Sequence, residues 1–255
     1  MITAEQVKQL RDKTGVSVMQ CKKALEEANG DMETALLVLK KKSTEVAEKK
    51  ADRSTMDGLV SLKTDGAKAV VVVLNCETDF VAKNEDFIKL SNDLVEKAWA
   101  EGAEKTTASA ADMISPVVQK TGENIQLGKI EEVSGGIIGT YVHNGKMAVV
   151  VKLEGGSTEL ARDVAMHTAA MKPEFVSREN IAEDVKVKMA ELFKKEVDES
   201  DRPEEIKAKM LAGKLDTYFK ERTLLDQPFV KNPDTTVGAM LGTAKVIDFK
   251  IYTLA

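Results

Sequence analysis

The chain of 255 residues holds two cysteines, Cys21 and Cys76, and two histidines, His143 and His167. These few residues narrow the chemistry it can do. A cysteine beside a histidine can serve as nucleophile and base, but a third group must orient the base, and none is evident for Cys76 and His143. His and Cys never fall at zinc spacing, so no metal site is expected. No complete Walker A sequence occurs, so the chain should hold no nucleotide of its own. The cluster Gly135-Gly136-Ile137-Ile138-Gly139 reads as the start of a strand. No cofactor is expected. His167 lies on an apolar helical stripe and reads as a hydrogen-bonded structural residue.

A different kind of chemistry is offered by Thr78-Asp79-Phe80-Val81, which follows a β-rich run and precedes a helical pattern. Thr78 suits a helix cap. Phe80 suits the core, where phenylalanine is usually found. That helix has enough apolar residues to pack without it, which leaves Phe80 free to point outward.

The elements that must position these residues can be read in order. Thr3 and Gln6 have capping-box spacing, with Ile2 and Val7 placed as a hydrophobic staple. Gly15 ends this helix because it tolerates positive φ. Ser17 and Gln20 repeat the box, and Val18, Cys21, Leu25 and Ala28 share one face, with Met19 one step off it. Asn29-Gly30 closes that helix, Asp31 caps a third, and Met32, Ala35, Leu36 and Leu39 form its stripe. Residues 40–50 are basic, interrupted by Glu45 and Glu48, and lack an aromatic for base stacking. They read as a solvated helical extension or linker, not a nucleic-acid site.

An internal repeat follows. Gly58 opens Leu59-Val-Ser-Leu-Lys-Thr, then Asp65-Gly66, then a run from Ala67 to Leu74. Gly136 opens a run to His143, then Asn144-Gly145, then a run to Leu153. The offset is constant: 66 + 79 = 145 for the turn glycines and 69 + 79 = 148 for Ala69 and Ala148. Asp-Gly and Asn-Gly between β-rich runs predict two type I′ hairpins. Helical patterns follow each, with Phe87, Leu90, Leu94 and Ala98 in the first and Leu160, Val164, His167 and Ala170 or Met171 in the second. The fold class is therefore α+β, with two similar subdomains, each a hairpin sheet covered by helix. Residues 103–122 read as loop and helix. Residues 180–222 read as a helical hairpin broken near Asp201-Arg202-Pro203, with Val185, Met189, Leu192 and Phe193 on one arm and Ile206, Met210 and Leu215 on the other. Residues 245–252 alternate as a strand whose core face is Ile247, Phe249 and Ile251. The boundaries are 1–54 for the N-terminal helices and linker, 55–133 for the first core subdomain, 134–178 with 226–255 for the second, and 179–225 for the inserted hairpin.

Composition excludes several classes. The net charge is 37 − 42 = −5, which does not attract phosphates overall. The longest apolar run, 69–74, is far below the ~20 residues of a membrane helix. Neither a basic nor an apolar leader opens the chain, so secretion is not expected, and the distant cysteines should stay reduced in a cytosol.

Five segments together are specific: Leu10-Arg-Asp-Lys-Thr-Gly15, Cys21-Lys-Lys-Ala-Leu-Glu-Glu-Ala-Asn-Gly-Asp31, Asn75-Cys-Glu-Thr-Asp-Phe-Val-Ala-Lys83, Ala165-Met-His-Thr-Ala-Ala-Met-Lys-Pro-Glu-Phe175 and Gln227-Pro-Phe-Val230. In order and spacing they resemble the elongation factor Ts family nearly end to end. The resemblance implies a non-enzymatic guanine-nucleotide exchange factor that binds elongation factor Tu, dislodges Mg²⁺ and releases GDP. It implies a ubiquitin-associated-like N-terminal bundle and an inserted hairpin of the dimerisation type at 179–225. It also implies that Thr78, Asp79, Phe80 and Val81 act on the partner's nucleotide domain, Phe80 as a wedge. Arg11, Met19, Lys22, His143 and Val230 match other partner-binding positions; Val18-Met19 stands where the family usually carries two methionines. Many members continue into a C-terminal helix, and the expectation is exchange without one. Two other readings remain: an adaptor whose N-terminal bundle alone binds peptides or ubiquitin-like folds, and an enzyme dependent on Cys76 or His143.

Overall fold

Capping chemistry sets the first three helices, as seen in a computed structural model that describes residues 2–254. The end of the chain at Ala255, on which the C-terminal expectation turned, lies outside the described residues. Helices α1 (Ala4–Thr14) and α2 (Val18–Glu27) each open on a reciprocal capping box, at Thr3–Gln6 and Ser17–Gln20, and Gly15 ends α1 with φ +69°. Asp31 caps α3 (Met32–Lys50) by accepting from the Thr34 amide at 2.7 Å. The bundle core holds Leu10, Val16, Cys21, Ala24, Leu25, Ala35 and Leu39. Val18 is not part of it: Val16 in the preceding loop takes the inward place, and Val18 is 53% exposed.

Residues 40–50 are not a separate linker. They form the second half of α3, which runs unbroken from the bundle onto the core. Ser43 is buried there, and Val46 and Ala47 pack against the core.

The repeat builds two three-stranded antiparallel sheets. In the first, β1 (Asp57–Thr64) and β3 (Ile125–Ser134) flank β2 (Lys68–Cys76); the short α4 (Asp79–Ala82), then α5 (Glu85–Glu101) and α6 (Ala103–Thr121), lie between β2 and β3 in sequence. In the second, β4 (Ile137–His143) and the terminal strand flank β5 (Met147–Glu154), with α7 (Thr158–Met171) packed on β4 and β5. The arms α8 (Glu183–Asp198) and α9 (Glu204–Arg222) form the helical hairpin. The chain returns through a short ribbon, β6 (Pro228–Phe229) and β7 (Asn232–Thr236), then α10 (Val237–Leu241), to β8 (Lys245–Thr253).

Both central strands are buried on two faces, which is why they read as continuous valine runs. One face of β2 packs under α5 and α6. The other meets the second sheet, where Val60, Ala69, Val71 and Val73 face Ile138, Ala148, Val150 and Tyr252. The hairpin turns dock reciprocally: Val60 N–H donates to the Gly145 carbonyl at 2.7 Å, and Ile138 N–H to the Gly66 carbonyl at 2.8 Å. Lys146 adds an ion pair to Asp57 and donates to the Gly58 carbonyl at 3.0 Å.

Several local expectations change. Only the second turn is type I′, with Asn144 and Gly145 at φ +51° and +67°. In the first, the Asp65 carboxylate accepts from the amides of Ala67 and Lys68, and Gly66 alone has positive φ. In β8 a register shift pairs Lys152 with Asp248 and Leu153 with Val246, skipping Ile247. Val246 thereby joins Phe249 and Ile251 on the core side, and Ile247 is 49% exposed. The α7 stripe ends at Thr168 and Ala169, leaving Ala170 and Met171 outside. Leu192 and Ile206 are exposed, because two helices alone cannot cover a wide apolar face. Gly139 is required where α7 crosses β4, since a Cβ there would overlap the Ala161 backbone.

The helical hairpin ends at Arg222, and Leu224 returns to the core. Its base is closed by the core itself: the amides of Glu174 and Phe175 donate to the Arg222 carbonyl, Leu224 N–H donates to Phe175, and Arg178 pairs with Asp226 at 2.5 Å. Replacing residues 184–220 with a linker of about six Gly and Ser residues should therefore leave a folded core. Calorimetry should show one cooperative transition; a product without one would show that the hairpin supports the core.

Candidate functional site

The Thr78–Val81 turn is built on the end of the most buried strand. Asn75 and Cys76 finish β2 in the interior, and the Cys76 thiol donates to the Thr78 carbonyl at 3.2 Å. Thr78 caps α4, its hydroxyl oxygen accepting from Val81 N–H at 3.4 Å. One helical turn later Asn84 caps α5. The apolar residues of α4 divide: Val81 and Ala82 point into the core with Phe87, Leu90 and Leu94, whereas Phe80 is 81% exposed. Val81 is thus a buried support of the turn and presents little surface to a partner. Asp79 is half-buried and pairs with Lys83 at 2.7 Å, which raises the lysine's pKa.

Sequence reasoning passed over three neighbours of this turn. Glu123 bonds Thr78, and Glu77 bonds the Asn124 amide. Met56 is 70% exposed and precedes Asp57, the register partner of Cys76, so it lies at the same sheet end. An exposed methionine in an unremarkable loop gave no signal before the register was known.

Cys76 and His143 form no nucleophilic pair. Burial foremost, then the charges of Asp57 and Glu123, pushes the Cys76 thiol up to about 12, so the reactive thiolate is suppressed. The His143 ring nitrogens meet the Tyr141 hydroxyl at 3.3 Å and the Asn144 amide at 3.4 Å. Among the described residues, no cluster of three or more His, Cys, Asp or Glu is placed to hold a metal ion. No helix among them is long and apolar enough to cross a membrane.

The structure brings His143 and Val230 into one groove of about 530 Å³, with Tyr141, Met147, Met166 and Lys172 also on its walls. His143 is exposed at the hairpin turn and Val230 is 42% exposed. Arg11, Met19 and Lys22 are exposed on the N-terminal bundle, Met19 at 64% and Lys22 within 3.9 Å of Glu26.

His167 holds Val230 in place. It is fully buried, its Nε2 lies 2.9 Å from Gln227 Oε1, and its Nδ1 accepts from Val230 N–H at 3.2 Å. Since Nδ1 must accept, the proton belongs on Nε2, and the ring is neutral. Burial lowers its pKa against a smaller opposing effect of Gln227. The unfolded chain then binds the proton more readily, so this contribution is present above the unfolded value of about 6.5 and is lost as pH falls below it. The urea midpoint should drop between about pH 7.5 and pH 5.5, and His167→Gln, which keeps a donor and an acceptor, should flatten that drop. An equal slope in both proteins would remove His167 as its source.

Comparison with known proteins assigns the chain. The elongation factor TS family model matches residues 77–255. Elongation factor Ts of Hahella chejuensis is 43% identical over 250 residues, covering 95% of this chain and 87% of that protein. Those of Cellvibrio japonicus and Teredinibacter turnerae are 44% and 43% identical, covering 97% and 98% of this chain and 89% and 90% of their own lengths. The identity spans the N-terminal bundle, both sheets and the helical hairpin, and the chain belongs to the elongation factor Ts family.

Proposed function

We infer that this protein is the guanine-nucleotide exchange factor for elongation factor Tu in translation elongation, acting in the cytoplasm and without a covalent step of its own. The observation that carries the site assignment is the Phe80 ring, left 81% exposed on a one-turn helix whose Val81 and Ala82 are buried. Exchange is a linkage problem: a factor that weakens GDP on its partner is weakened by GDP to the same degree. It therefore needs contacts realised mainly in the nucleotide-releasing partner. Fully burying a phenylalanine is worth about 1.5–3 kcal/mol, and the free protein gains almost none of that at Phe80. A tenfold rate effect requires only about 1.4 kcal/mol, so this one ring suffices.

In this reading Phe80 wedges into the partner's nucleotide domain, and Asp79 beside it takes part in displacing Mg²⁺. Thr78 and Val81 hold the turn. The groove at His143 and Val230 meets a second domain of the partner, and Arg11, Met19 and Lys22 on a ubiquitin-associated-like bundle add a third contact. The exposed apolar residues of the helical hairpin fit a dimer contact through 179–225.

Release of fluorescent GDP from elongation factor Tu tests this directly. Phe80→Ala should lower the stimulated rate at least about tenfold while the thermal midpoint stays near wild type. Asp79→Ala should act in the same direction, and the pair should be non-additive because they serve one distortion. A loss only in proportion to unfolded protein would return Phe80 to a structural role. His143→Ala should weaken the complex by about 0.5–2 kcal/mol in titration calorimetry, as contacts outside hot spots do. An unchanged dissociation constant would take His143 out of the interface.

A further inference from the structure

We propose that Glu123 is a positioning residue for nucleotide exchange, latching the β2–α4 turn so that Phe80 is presented at a fixed angle. The proposal rests on the reading of Phe80 given above. A helix of four residues cannot hold its own geometry, because nucleation is costly and isolated short helices are marginal. Val81 and Ala82 anchor its inner side, but apolar contacts are non-directional and do not fix where the ring points. Direction comes from the carboxylate of Glu123. One oxygen accepts from Thr78 N–H at 3.0 Å and the other from the Thr78 hydroxyl at 2.7 Å. The hydroxyl has one proton. Giving it to Glu123 turns a lone pair toward Val81 N–H, so the carboxylate sets the cap of α4.

A second carboxylate reaches the other way. Glu77, beside Thr78, accepts from Asn124 N–H at 2.6 Å and from Arg53 Nη1 at 3.3 Å. Adjacent residues of one turn thus exchange carboxylate–amide bonds with adjacent residues of the other. Such charge-assisted bonds are about twice as strong as neutral ones. The receiving turn is itself fixed. Gly122 ends α6 at φ +78°, and Asn124 Nδ2 donates to the carbonyls of Arg53 at 2.7 Å and Ala51 at 3.3 Å. Phe80 is therefore referenced to α3, α6 and β3 as well as to β2.

Full-length protein with Glu123→Ala, Glu123→Gln and Phe80→Ala, alone and combined, would be assayed for fluorescent GDP release from elongation factor Tu. Both the maximal stimulated rate and the half-saturating concentration would be measured. Glu123→Ala should lower the maximal rate about fivefold and move the half-saturating concentration less than about twofold. Glu123→Gln keeps one of the two accepting oxygens and should recover part of the rate lost in Glu123→Ala. In the Phe80→Ala background Glu123→Ala should cost nothing further, because its effect passes through the ring. An equal fold-loss in both backgrounds, or an undiminished rate for Glu123→Ala alone, would overturn the latch. If Phe80→Ala itself keeps the wild-type rate, the wedge reading falls and the latch with it; if only Glu123→Ala is silent, the wedge stands. Thr78→Val removes the hydroxyl arm to Glu123 and, with it, the cap bond from Val81 N–H, while the Thr78 N–H bond to Glu123 remains. It carries the same test if Glu123→Ala does not fold, with a partial loss that must vanish in the Phe80→Ala background.

Discussion

The two hairpin turns hold each other, and the positions of the Phe80 turn and the His143 groove follow from that. Each repeat presents a turn carbonyl, Gly66 or Gly145, to a strand amide of the other. Two such bonds contribute about 1 kcal/mol each. The larger stabilisation comes from the valine faces they bring together, at roughly 25 cal/mol for each Å² of apolar surface removed from water. Burial supplies the energy, and the two directional bonds fix how one sheet is seated on the other. Once the sheets are clamped, the end of β2 is a rigid platform for the Phe80 turn. The β4–β5 turn is likewise a rigid edge for the His143 groove.

The core also explains why an aromatic ring can be left outside without cost to the fold. Phe87, Leu90, Leu94, Val81 and Ala82 already fill the space beneath α4. A similar economy operates at the other groove, where buried His167 spends both ring nitrogens on holding the segment that carries Val230.

Much of the architecture could be read from residue order. Capping boxes are local, and the constant offset between Gly66 and Gly145 reveals duplication. The valine runs of β2 and β5 signalled burial but not what lay on the second face, because sheet-on-sheet contact is non-local. Strand β3 went unread: Gln126, Gly128 and Lys129 dilute its alternation, and it exists because β2 needs a second partner. Ile247 was placed inward because a bulge cannot be seen in one strand alone. At the site, Met19 stood off its stripe in the sequence, whereas the orientations of Phe80 and Val81 depended on which neighbour filled the core first. Glu123 lies 45 residues from Thr78 in the chain, so no local pattern could have joined them.

Helix α3 has a mechanical consequence. Nineteen residues without a break, at about 1.5 Å each, make a strut of roughly 28 Å between the bundle that carries Met19 and the core that carries Phe80. The helix packs along α6, with an exposed Lys40–Asp112 pair at 3.3 Å adding little, and Val46 and Ala47 seat its far end on the core. On the contacts proposed at Met19 and Phe80, a partner gripped at both ends would meet a caliper of preset opening, not two hooks on a string. The second contact then forms at an effective concentration set by geometry, with no loop to close. A surface whose two footholds are spaced differently would gain nothing from the second. With the contacts proposed at Met19 and Phe80, the length of one helix would select among partners before any side chain is compared.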